Sequence, residues 1–356
     1  MKQKPKDDVM KNAILVTGGT GFLGSHLVKL LAADPATASR LRVLVHSAAP
    51  PWLRELGVRL VQGSVTSPDS LAAAVDGVSE VYHLAGLVSH LPDDAHRMYS
   101  VHVDGTRFLC EAAVRAGVRR IVMASTSGTI AVSRREDDVA DETVPTPVDL
   151  IGRWAYYASK HYQEETARRG CGDKVELVTV NPSLLLGPGD DRLSSTRFIV
   201  QFIARDIALM PTGGTNVVDA RDVAALLPVA MARGTAGDRY LVGAVNWTFA
   251  ELFGRLERLT KIPAPKVKIT GDFPFLASRA QAALYRKIGR KVPVKPQSVE
   301  MAQYFWYFDS GKASRELGFS PRDPADTLRD TVKYIRDHLL GNSALSGGTV
   351  PALAHG

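Results

Sequence analysis

Short runs rich in β-branched and apolar residues recur along the first half of the chain. Ala13–Thr17, Leu41–His46, Val58–Val61, Glu80–Leu84, Arg120–Ala124 and Val175–Val180 read as strands. Amphipathic stretches with helical spacing lie between them, among them Phe22–Ala33, Gly105–Ala116 and a helix from about Trp154 to Arg168. This alternation predicts βαβ units, and hence an α/β fold with a doubly wound parallel sheet and helices on both faces. Right-handed crossovers then place ligand crevices at the C-terminal ends of the strands. After about residue 183 the pattern loosens. A strand-like piece at Val217–Val218 leads into a helix from Asp222, and Phe249 to Leu340 reads as mainly helical. Pro263, Pro265, Pro274, Pro293 and Pro296 interrupt those helices. The expected division is a core domain over 11–182, to which 213–245 returns, and a smaller, mostly helical C-terminal substrate region from 183–212 and 246–340. Residues 1–10 and 341–356 read as loose termini.

Composition narrows the class. The 356 residues are 45% hydrophobic and 23% charged, which excludes collagen-like, disordered and disulfide-framework proteins. Two cysteines, Cys110 and Cys171, fit a reducing cytoplasm. No apolar run reaches the ~18 residues that would span a bilayer, and Met1–Met10 lacks the apolar core of a signal peptide. A cytoplasmic protein is expected. The net charge of +7 is local: Arg255–Lys295 holds 11 basic and 2 acidic residues, so this stretch carries +9 and the remainder −2. Its plain reading is a solvated basic face. The sharper one is a contact of 279–295 with anionic lipid or an acidic partner. No recognition motif accompanies the charge, so no nucleic-acid partner is expected.

Thr17-Gly18-Gly19-Thr20-Gly21-Phe22-Leu23-Gly24 follows the first strand and opens a helix. Gly18 suits the tight turn, Gly21 a close approach of pyrophosphate to the backbone, and Gly24 close packing of helix on sheet. Three glycines alone can simply make a loop. After an N-terminal strand they point to a dinucleotide, held at Gly18, Thr20, Gly21, Phe22, Leu23 and Gly24. Its adenosine ribose would meet the end of the second strand, Val45-His46-Ser47, where no acid is present to repel a 2′-phosphate. NADP(H) is therefore favoured over NAD(H), with His46 beside the phosphate. The competing reading is that His46 merely ends a strand.

Tyr156 and Lys160 are four apart on a predicted helix and share one face; Tyr157 is turned about 100° away. A phenol titrating near 10 is a weak acid–base group at neutral pH, and a neighbouring ammonium favours its ionised form. With 10 tyrosines in the chain, such a pair arises easily by accident. Joined to the glycine turn, it carries weight.

These residues together resemble the extended short-chain dehydrogenase/reductases, Rossmann-fold enzymes of the NAD-dependent epimerase/dehydratase superfamily. The resemblance runs from about Ala13 to Arg336. It rests on the glycine turn, Val81-Tyr82-His83-Leu84-Ala85-Gly86, Gly105-Thr106, Ser125-Thr126-Ser127, Tyr156 to Glu164, Asn181-Pro182 through Gly187-Pro188-Gly189, and Val218 to Ala224. Among subgroups the chain looks most like the dihydroflavonol/aldehyde reductase-like branch and the 3β-hydroxysteroid dehydrogenases; Asn181, where sugar-nucleotide epimerases usually carry Arg, is one reason. The resemblance implies Tyr156 as acid–base, with Lys160 lowering its pKa and holding the nicotinamide ribose. Thr126, or alternatively Ser127, would hydrogen-bond the substrate oxygen. It further implies cofactor contacts from Ser64, Val65, Leu84, Ala85, Gly86, Asn181, Pro182 and Ser183. Three positions depart from the family pattern: His102 stands where Asn often supports a proton relay, Gly63-Ser64 where Asp usually contacts adenine, and Ala131 where a glycine closes a motif.

No His, Cys, Asp or Glu cluster has metal-ligand spacing, and no metal is expected. Gly24-Ser25-His26 does not complete a phosphate loop, and no nucleophile elbow appears. The expectation is an NAD(P)(H)-dependent oxidoreductase acting on a small, apolar carbonyl or alcohol substrate, with a homodimer as a further partner possibility. A nucleotide-sugar epimerase or dehydratase with tightly held NAD, and a non-catalytic dinucleotide sensor, stay open as alternatives. The late aromatics, Phe273, Phe275, Tyr285 and Tyr304 to Phe308, either pack the smaller region or line an apolar pocket.

Overall fold

A computed structural model describes residues 12–268, 278 and 296–341. The stretch Arg279–Lys295, and with it Tyr285, Phe273 and Phe275, lies outside the described residues. The strands are β1 (Ala13–Thr17), β2 (Leu41–Val45), β3 (Arg59–Gln62), β4 (Val78–His83), β5 (Arg120–Ala124), β6 (Glu176–Pro182), β7 (Leu184–Leu186), β8 (Gly214–Asp219), β9 (Arg239–Val242), β10 (Val245–Thr248) and β11 (Phe305–Trp306). Seven of them form one sheet in the order β3-β2-β1-β4-β5-β6-β9, every neighbouring pair parallel. This is the doubly wound Rossmann-like sheet that the sequence predicts. Successive side chains of a strand alternate between faces. Val16 of β1 accordingly joins the core under the helices Phe22–Ala32 and Ala220–Arg233, while Leu15 joins the core under Gly105–Ala116. Burial on both faces explains why the strands read as nearly continuous apolar runs.

The strand order reverses at β1, which lies between β2 and β4, so a crevice opens beyond its C-terminal end. The glycine turn and the end of β4 border it. The helix Ala155–Cys171 lies on one face of the sheet against Gly105–Ala116. The latter continues a longer helical stretch through Ala95–Tyr99 and a π-helical turn, Ser100–Asp104.

A second sheet, β10-β8-β11 with β7 also paired to β8, was foreshadowed in the sequence only by Val217–Val218. All six residues of β8 are buried, including Thr215 and Asn216, so neither alternation nor an apolar run marks the strand. Its third core contains Leu186, Val217, Trp247, Leu252, Leu256 and Leu328. Asp219 ends β8 and caps the next helix by accepting from the Arg221 N–H, so that helix begins at Ala220 rather than Asp222. The helix then packs along Phe22–Ala32, and β9 closes the far edge of the main sheet. No described helix is long and apolar enough to cross a membrane.

Candidate active site

The glycine turn is fixed by backbone packing. A Cβ on Gly18, whose φ is +73°, would sit 2.5 Å from Leu84 and Ala85 backbone atoms, and one on Gly24 would sit 2.1 Å from the Gly18 carbonyl oxygen. Gly21 is different: its Cβ would meet only Gly18 O, at 3.2 Å, so the outer side of the turn is open. Gly21 is also the N-cap of Phe22–Ala32 and offers no side-chain acceptor, which leaves first-turn N–H groups for an anion. Phe22 and Leu23 are buried, so only their backbone faces that end; Thr20 is half-buried. At the end of β2, His46 is exposed and its carbonyl accepts from the Gln62 amide at 3.1 Å. The Ser64 hydroxyl lies 2.8 Å from that of Thr66, and Val65 is buried against Gly105. Leu84 and Ala85 are half-buried, and Gly86 is exposed and faces His102.

Tyr156 and Lys160 occupy the first turns of Ala155–Cys171, and Thr126 lies just beyond β5. The Thr126 side chain lies near enough to the Tyr156 phenol to favour its ionised form. Burial pushes that phenol up to about 12, opposed by the Thr126 side chain. The Lys160 ammonium has hydrogen-bond partners of its own. It donates to the Ala124 carbonyl at 2.7 Å and to Gln163 Oε1 at 2.5 Å. Burial brings Lys160 down to about 8, with the Glu164 charge opposing. Ser127 is buried one residue on, and its carbonyl accepts from the Ile130 and Ala131 N–H groups.

Glu164 holds the loop that carries Thr126. Its Oε1 accepts from the Ser125 hydroxyl, from Thr129 Oγ1 at 3.0 Å and from Asn181 Nδ2 at 2.8 Å. Asn181 also donates to the Thr126 carbonyl at 3.1 Å. The Asn181 Oδ1 and Ser183 Oγ atoms are buried without a protein partner. Together with buried Pro182, they stand at the C-terminal end of β6, where the resemblance places the nicotinamide. Orphaned polar atoms at that position and the open outer side of Gly21 both fit a bound dinucleotide.

His102 has no nitrogen to spare for a proton relay. Its Nε2 accepts from the Leu87 N–H at 3.0 Å, which puts the ring proton on Nδ1, 2.9 Å from Ser159 Oγ. Burial holds its pKa well below the ordinary value, with the Lys160 charge acting in the same direction. It is a neutral tie between the loop after β4 and the Tyr156 helix. Gln163, Glu164 and His83 were not singled out as site residues. The first two were legible in principle, since they stand three and four residues after Lys160 on the same helix. Among the described residues no group of three or more His, Cys, Asp or Glu could hold a metal.

The later aromatics that are described pack on one another and on the start of the Tyr156 helix. Trp154 meets Tyr304 edge-on at 5.1 Å, Tyr157 stacks on Trp306 at 4.7 Å, and Phe308 is buried.

A dinucleotide turn at the switch point of a parallel sheet, with a Tyr/Lys helix beside it, defines a class, and comparison with known proteins agrees. Residues 14–243 match the NAD dependent epimerase/dehydratase family, and the chain belongs to it, as an extended short-chain dehydrogenase/reductase. It is 32% identical to "Putative dihydroflavonol 4-reductase" of Synechocystis sp., over 92% of this chain and 96% of that protein. It is 31% identical to "Sterol demethylase protein B" of Methylococcus capsulatus, over 91% and 98%. The crystal structure of gox2253 superposes with a TM-score of 0.78 at 29% identity, covering 92% of this chain and 98% of that one.

Proposed function

We propose that the protein reduces a ketone or aldehyde, or oxidises the corresponding alcohol, of a small apolar substrate. The observation that carries this reading is the placement of Tyr156 at the start of its helix, one turn from the buried Lys160, with Thr126 just beyond the C-terminal end of β5. A bound nicotinamide dinucleotide supplies the hydride donor or acceptor. Tyr156 exchanges the proton at the substrate oxygen, and Thr126 stabilises charge that develops there. Lys160 has spent two of its three N–H donors on Ala124 and Gln163, and the third serves a ribose hydroxyl. Gly18 to Gly24 hold the pyrophosphate. The names of the relatives, a dihydroflavonol reductase and a sterol demethylase protein, support an apolar substrate.

NADP(H) is the proposed cofactor, because the end of β2 offers exposed His46 and Ser47 and no carboxylate. The test is a panel of carbonyls and alcohols assayed separately with NADH and NADPH, repeated on Tyr156→Phe. Turnover should fall by at least about 10³-fold in the variant while cofactor affinity stays within a few-fold. Undiminished turnover would sink the assignment of Tyr156.

A further inference from the structure

Behind Lys160 a file of buried polar side chains crosses from its helix to the strand that feeds the glycine turn. Gln163 Oε1 accepts from Lys160, and Gln163 Nε2 lies 3.0 Å from Thr106 Oγ1. Thr106 Oγ1 lies 3.0 Å from His83 Nε2, and His83 Nδ1 lies 2.8 Å from Thr17 Oγ1. Thr17, His83 and Gln163 are fully buried, and Thr106 and Lys160 nearly so. No water is needed to complete the file.

The ammonium fixes the orientation of the amide. An ammonium can only donate, so the amide must present its oxygen to Lys160 and its N–H to Thr106. Thr106 accepts that N–H, and its Oγ1 pairs with Nε2 of neutral His83. His83 Nδ1 pairs in turn with Thr17, whose oxygen also accepts weakly from the Ala85 N–H at 3.4 Å. Reversing the amide would set an NH₂ group against an ammonium. The structure assigns to Gln163 the part of a positioning residue: its carbonyl holds the Lys160 ammonium charged and in place, and a buried hydrogen-bond file anchors it to Thr17 under the glycine turn. This rests on the oxidoreductase reading of Tyr156 and Lys160 proposed above.

The groups that face Lys160 are His83 from β4, His102 from the π-helical turn, and Tyr156 and Glu164 from its own helix. Burial keeps both histidines neutral, His83 at about 3, so neither titrates near the Lys160 value. That leaves the Gln163 and Ala124 carbonyl dipoles and the Glu164 charge to offset the cost of burying the ammonium. A deprotonated Lys160 would present a lone pair where the ribose needs a donor.

Opposite substitutions test this. Lysine labelled with nitrogen-15 reports the Lys160 Nζ titration in cofactor-free protein, with Lys160→Met identifying the signal. Gln163→Leu removes the acceptor and should lower the Lys160 titration by about one pH unit; Gln163→Glu supplies a carboxylate and should raise it by about as much. The alkaline limb of kcat and the weakening of NADPH binding at high pH should follow in the same opposite directions. If Gln163→Leu does not fold, Gln163→Met takes its place. Both variants moving together, or neither moving, overturns the role of Gln163 and leaves the oxidoreductase reading intact. A wild-type protein without carbonyl or alcohol turnover overturns that reading instead, while the Lys160 titration still decides whether Gln163 holds the charge.

Discussion

Lys160 places a charge where water scarcely reaches, at 4% exposure, and the cost is readable as pH dependence. Burial brings its value to about 8, whereas the unfolded chain holds the proton to about 10.5. Between those values the unfolded state binds more protons, so this group's contribution to stability rises with pH and is least favourable below 8. The difference is worth about 3 kcal/mol. Lys160→Met should therefore gain on the wild type at pH 7 and lose about that much of the gain by pH 10.5, as read by urea denaturation at both values. A gap that does not change with pH would show that Lys160 does not titrate in this window.

Helix Phe22–Ala32 depends on a single missing methyl group. A Cβ on Gly24 would lie 2.1 Å from the Gly18 carbonyl oxygen, a backbone atom that cannot swing aside. Gly24→Ala should cost about 2 kcal/mol and lose dinucleotide binding, while Ser25→Ala next to it stays within about 1 kcal/mol. Calorimetric binding of NADPH and a thermal melt check both. This turn was legible in the sequence because glycine is required there by sterics, and β1 and β5 because burial on both faces leaves an unbroken apolar run. Of β8 only Val217–Val218 was legible: in Gly-Thr-Asn-Val-Val-Asp the polar Asn216 is buried with its amide on Asn246, a pairing that only the fold brings together. The Tyr156/Lys160 spacing correctly placed both residues on one helix. It could not foresee that Lys160 would turn to Ala124 and Gln163, because those acceptors sit where packing puts them.

At the scale of the whole molecule, the aromatic group around Trp154 ties the second sheet to the Tyr156 helix. The Trp154 indole N–H donates to Glu300 at 3.0 Å, and its ring packs on Tyr304 and Trp306, so the segment bearing β11 is fastened to the start of the Tyr156 helix. Trp154→Ala should cost about 3–5 kcal/mol. It should also speed hydrogen exchange in β8 and β11 more than in β1 and β4, and equal acceleration everywhere would argue against this fastening. The edge of the large sheet has a consequence in time. β9 covers β6 but leaves the ribosome long after it, once β7, β8 and the helix Ala220–Arg233 have been made. Every residue of β6 except Glu176 is buried in the finished protein. Until residue 242 has emerged, the growing chain therefore displays an apolar strand with an open hydrogen-bonding edge, a template for pairing with other nascent chains. A shortened chain ending before β9 keeps that edge permanently, which sets it on a course to aggregate rather than to fold.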